Sequence, residues 1–160
     1  MPRKIAHYVK YLAIYFVLFQ TFFLSSWSKW TSGGTPEFFK KQFEHSFLAS
    51  FPGLEASYYF IAALEGLVAI LVVVSFFTGD WLPSHPRKDW LKLAIAGAAL
   101  TFGALGFGQN LTDQYNGAAE LFAYFGATLV AWLVVSADES AAARQAALEK
   151  SAADSERAPA

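Results

Sequence analysis

Cysteine is absent from the 160-residue chain, which excludes thiol–disulfide chemistry, thiolate-held metals, iron–sulfur clusters and covalent c-type haem. Histidine is scarce. His7, His45 and His85 all fall outside the apolar runs and read as solvated side chains, so no haem ligand and no Glu-x-x-His metal motif sits at membrane depth. Charged residues make up only 16% of the chain, and its twelve Lys and Arg residues form no basic stripe, which excludes a nucleic-acid partner. Neither a metal site nor an intrinsic cofactor is expected, and any redox role would rest on a borrowed cofactor or partner.

What remains is strongly apolar: 55% hydrophobic and 18% aromatic residues, gathered in blocks. The clearest block, Ser57 to Phe77, is long enough as a helix to span roughly 30 Å, the thickness of a bilayer core. Three more blocks of similar kind predict an all-α membrane protein, a four-helix transmembrane bundle with spans of about 8–27, 57–77, 90–110 and 117–135. The first block is read as a retained span rather than a signal peptide, because it is long and ends in Trp27 and Trp30 instead of a small-residue cleavage site.

Between the first two spans, Thr35-Pro36-Glu37 is a helix-start signal, and Phe39, Phe43, Phe47 and Phe51 recur every four residues before Pro52-Gly53. This predicts an amphipathic interfacial helix over about 36–51, lying on the bilayer or over the ends of the spans. The third span, rich in Gly and Ala, is expected to pack closely. Residues 1–137 therefore read as the transmembrane domain and 138–160 as a polar, alanine-rich tail, with Asp138 and Glu139 suited to a helix start. Arg3, Lys4 and Lys10 at the N-terminus, with Arg87 and Lys88 in the second loop, predict cytoplasmic termini in a bacterial inner membrane.

Four polar residues interrupt the spans: Gln20, Glu65, Gln109 and Glu120. Counted from the helix ends, all lie within roughly 12 Å of the outer boundary, so they are expected to meet in one polar layer and form a ligand-binding or proton-handling site. Tyr124 stands one turn from Glu120 on the same face, Asn110 and Asp113 are placed at the mouth, and His45, beside Glu44, in a lid. No comparable group is expected in the cytoplasmic half. Glu65 is the deepest. A carboxylic acid there implies proton handling, a polar ligand or a basic partner, and it is expected to be neutral or to share a proton with Glu120. The alternative is that the four residues only fasten the helices to one another.

The chain resembles the DoxX-like family of small four-helix bacterial membrane proteins, over about Tyr8 to Val135. The resemblance rests on Ser28-Lys29-Trp30 after the first span, Phe51-Pro52-Gly53 closing the aromatic segment, Ala63-Leu64-Glu65-Gly66 in the second span and Phe107-Gly108-Gln109 leaving the third. It implies a quinone-linked or redox-partner-binding membrane subunit, with quinone as the borrowed cofactor and a membrane or peripheral redox protein as partner beside the lipid bilayer. A non-catalytic accessory subunit of a larger complex is the other reading, and a small transporter ranks last.

Overall fold

The structure, a computed structural model, describes residues 2–83, 85 and 87–157. Residues 158–160 of the expected tail and the side chains of Arg3 and Lys4 lie outside the described residues. Among those described, the fold is all-helical: α1 (Pro2–Thr31), α2 (Glu37–Phe43), a 3-10 turn (Phe47–Ala49), α3 (Leu54–Thr78), α4 (Asp89–Leu111) and α5 (Tyr115–Arg157). Four of the helices are long and apolar enough to cross a bilayer, and the chain is a multi-pass membrane protein.

Each span buries one stripe and turns the rest outward. On α1 the stripe is Tyr11, Tyr15, Leu18 and Phe22, and on α3 it is Tyr58, Ala62, Glu65, Ala69 and Val72, both with alternating steps of three and four residues. That period keeps one face of an α-helix against its neighbour, as in left-handed bundles. α1 packs on α3, α3 on α4 and α4 on α5, whereas α1 and α5 do not pack along their length. The core lies between them around Val68, Leu91, Ile95 and Ala98.

Small residues set the spacing. A side chain added at Gly66 of α3 would come within 3.0 Å of the Ser26 hydroxyl of α1, which donates to the Ala62 carbonyl at 2.9 Å. Gly66→Ala should displace that hydroxyl, push α1 from α3 and destabilise the protein by about 1–3 kcal/mol. Reversible unfolding in mixed micelles measures this directly. An unchanged midpoint would show that Ser26 gives way without consequence.

Two expectations about the elements change. The interfacial helix over 36–51 is broken: α2 ends at Phe43, the Ser46 hydroxyl donates to the Phe43 carbonyl at 2.7 Å, and a 3-10 turn follows. The phenylalanine ridge splits accordingly. Phe43 is buried against Gly108 of α4, and Phe39 meets Tyr58, while Phe47 and Phe51 face outward. The ladder stops because α2 is anchored through Phe43 and the chain has to turn back to reach α3. At the other end, α5 does not restart at Asp138 but continues unbroken to Arg157.

The loop between α3 and α4 is closely ordered at its start. Gly79 takes the left-handed conformation (φ +83°) that ends α3, and its amide and that of Asp80 return to the Phe76 and Ser75 carbonyls. We call the end of the bundle holding this loop and the N-terminus the tail end, and the end holding α2 and the α4–α5 turn the far end.

Candidate functional site

At the far end, Lys29 stands one turn after Ser25 on α1, and both face Glu65 of α3. Lys29 Nζ donates to the two carboxylate oxygens at 2.9 and 2.8 Å and to Ser25 Oγ at 2.7 Å, and Ser25 donates to Oε1 at 2.9 Å. Glu65 is only 2% exposed. A carboxylate this deep needs a cation and hydrogen bonds, and α1 supplies both. The partners of Glu65 are thus Lys29 and Ser25, while Glu120 is exposed on α5.

Lys29 also forms part of the wall of a cleft of about 430 Å³ between α2, α3 and α4. Its other walls are mainly aromatic, with Phe38, Phe39, Phe43, Tyr58, Phe60 and Phe107. Gln109 reaches the cleft from α4 and accepts a hydrogen bond from Gln42 Nε2 of α2 at 3.2 Å, the same nitrogen donating to Thr112 at 3.0 Å. Tyr58 is buried to within 5%, and its hydroxyl has no hydrogen-bond partner among the described residues. A phenol on the wall of the cleft that no neighbouring side chain engages is free to donate to a ligand there. The volume and walls are those of a small-molecule site: apolar, aromatic, with few polar groups.

The expected polar layer does not assemble. Depth along a helix follows from residue count, but the direction a side chain faces depends on the rotation of that helix, and the four residues point to different neighbours. Glu65 is sealed behind Lys29 and does not line the cleft, Gln109 does line it, and Gln20 and Tyr124 line a separate groove between α1 and α5. Glu120 faces outward without a partner among the described residues. The lid and mouth change as well. His45 is exposed and lies 3.4 Å from Glu44, Asn110 donates to the Gly106 carbonyl, and Asp113, at φ +57°, accepts from the Tyr115 hydroxyl. None of the three borders the cleft, which is covered by Phe38, Phe39 and Gln42 instead.

The tail end holds a polar network where none was expected. Asp80 is 1% exposed and accepts from the Leu91 amide at 2.8 Å, from Ser75 at 3.1 Å and from Thr78 at 3.2 Å. Because Ser75 gives its proton to Asp80, Tyr15 must be the donor in its 2.5 Å contact with Ser75. Lys88, also buried, donates to the Leu82 carbonyl at 2.8 Å and lies over the Tyr11 ring. Burial pushes its ammonium below the ordinary lysine range, against the opposing pull of Asp80, Asp138 and Glu139. Asp138 pairs with Lys10 at 2.5 Å and approaches His7 at 3.6 Å, while Glu139 pairs with Lys92 at 2.6 Å. His7 is not a free surface side chain, since its Nε2 also meets the Trp81 carbonyl at 3.1 Å.

Comparison with protein-family models, curated proteins and solved structures gives no match to this chain. The arrangement must therefore be judged on its own chemistry. The tail-end groups join α1, the α3–α4 loop, α4 and α5, and among the described residues the Tyr11 hydroxyl is buried there without a hydrogen-bond partner. The far-end cleft brings polar groups with spare hydrogen-bonding capacity, Tyr58 and Gln109, to an aromatic space.

Sequence reasoning valued Glu65 and overlooked the residues that serve it. Lys29 entered only through the family resemblance, although its step of four from Ser25 marks one helical face. Tyr58 and Gln42 carried no signal, since a tyrosine at the start of an apolar run reads as an interfacial aromatic.

Proposed function

We propose that the protein is a DoxX-like subunit of a bacterial inner membrane, with both termini cytoplasmic, that binds a quinone or docks a quinone-linked redox partner at the far-end cleft. The observation that carries this reading is the Tyr58 hydroxyl, without a partner among the described residues, in an aromatic cleft shared with Gln109 and Lys29. Planar rings fit such walls, and a quinone carbonyl accepts from a phenol or an amide NH₂. The Lys29–Glu65 pair supports the resemblance, because it joins two of the residues on which that resemblance rests. A quinone, when bound, would supply the two-electron chemistry that the side chains lack. The chain's own part is to orient the ring, keep water out and offer hydrogen bonds.

The accessory-subunit reading is favoured by one fact: both Glu65 oxygens are already bonded within the bundle, so this acid fastens α1 to α3. One experiment separates the two readings. Protein purified in mild detergent is analysed for co-extracted quinone and titrated with a short-chain analogue, alongside Ala104→Phe, which fills the cleft from α4. Binding by the wild type, and a loss of roughly tenfold or more in Ala104→Phe with unchanged thermal stability, is the expected result. No quinone above background and no saturable binding would leave the accessory role.

A further inference from the structure

We infer that the groove between α1 and α5 is a dimer interface, occupied by a second copy of this chain through hydrogen bonds made by Gln20. α1 and α5 are tied at the tail end by Lys10 and Asp138 but do not pack along the span, and a groove of about 590 Å³ opens between them. Gln20 faces this groove from α1 and Tyr124 from α5, with Thr21 beside Gln20. The Gln20 amide has no hydrogen-bond partner among the described residues. It lies roughly 10 Å inward from Trp27 and roughly 18 Å from Tyr8, the aromatic residues near the two interfaces, at 1.5 Å per residue.

That depth decides the occupant. An unpaired amide in hydrocarbon is costly, and neither a phospholipid headgroup nor interfacial water sits so far inside. An acyl chain could fill the groove but would leave the amide unsatisfied. A second copy would not: an amide is both donor and acceptor, so two glutamines related by a two-fold axis satisfy each other, or each pairs with the Tyr124 hydroxyl of the other copy. Ala127 on the α5 wall leaves room for close approach. Two-fold pairs are also the commonest closed assembly.

The absence of native cysteine makes the test direct. Val17→Cys sits on the groove wall and Leu100→Cys on the outward face of α4. In native membranes, a bis-maleimide should crosslink Val17→Cys and leave Leu100→Cys monomeric. In reconstituted bilayers, single-molecule photobleaching should show dimers, with Gln20→Leu weakening them roughly tenfold, the fold-change expected from losing two symmetry-related interhelical hydrogen bonds. Gln20→Leu exchanges an amide for a lipid-compatible side chain, so it should fold, and its unfolding midpoint serves as the control. A monomeric wild type, equal crosslinking at Leu100→Cys, or a Gln20→Leu protein that dimerises as tightly as wild type overturns the proposal.

Discussion

Removing either member of the Lys29–Glu65 pair should destabilise the bundle by about 3–5 kcal/mol, whereas removing both should cost far less. Glu65 is almost fully enclosed and Lys29 largely so, with side-chain exposures of 3% and 20%. In Lys29→Met the carboxylate keeps only the Ser25 hydroxyl at a depth where water cannot replace the lost ammonium. In Glu65→Leu the ammonium keeps Ser25 and the edge of the cleft, so its loss should be the smaller of the two. Lys29→Met/Glu65→Leu replaces both charges with apolar side chains of similar size, and lipid-buried apolar contacts then hold α1 to α3. Unfolding midpoints of the four proteins in mixed micelles form a double-mutant cycle. Additive losses would mean that the two groups do not interact, contrary to the 2.8 Å contact.

The double variant also tests the site. If its fold is retained and quinone binding falls, the pair contributes to the cleft as well as to the helix contact. If both survive, the pair is a fastener alone.

Asp80→Ala should cost about 2–4 kcal/mol, because one carboxylate caps the start of α4, accepts from the buried Ser75 and from Thr78, and opposes the charge of a buried lysine. Its truncation strands the Leu91 amide and the Ser75 hydroxyl together, whereas Thr78 keeps its bond to the Ser75 carbonyl, and losing a helix cap alone costs typically 0.5–2 kcal/mol. Lys88 also loses the strongest of the negative influences that oppose its desolvation, so its ammonium should fall further below the ordinary lysine range. The sign of the pH effect follows. In the folded protein Lys88 gives up its proton more readily than in the unfolded chain, so its burial penalty is fully present below the folded pKa. Between that value and the usual 10.5 the unfolded chain holds more protons, and stability rises with pH. This alkaline gain should be present in the wild type, larger in Asp80→Ala and absent in Lys88→Met, as read from unfolding midpoints across that range. Identical profiles in all three would show that Lys88 has no part in the pH dependence.

The tail-end network explains why α5 continues as one helix past the expected boundary. Asp138 and Glu139 looked like acids of a helix start, because a composition change to alanine with mixed charge resembles a new segment. In the fold they are mid-helix partners of Lys10 and Lys92. The pairs span more than a hundred residues in one case and nearly fifty in the other, and no local pattern announces them.

The sequence by itself determined the number of spans, their approximate limits and the exclusion of cysteine chemistry, because crossing a bilayer demands length and apolarity that composition cannot hide. It also placed Glu65, Gln20, Gln109 and Glu120 at depth, since depth is rise per residue multiplied by count. Only the tertiary structure decided which of them meet. Helix rotation and neighbour order give Glu65 to Lys29, Gln109 to Gln42 and the aromatic cleft, Gln20 and Tyr124 to the open groove, and leave Glu120 facing outward. In a bundle whose surfaces are apolar nearly all round, hydrophobic periodicity is a weak guide to rotation. The packing of small residues and the pairing of buried charges set it instead.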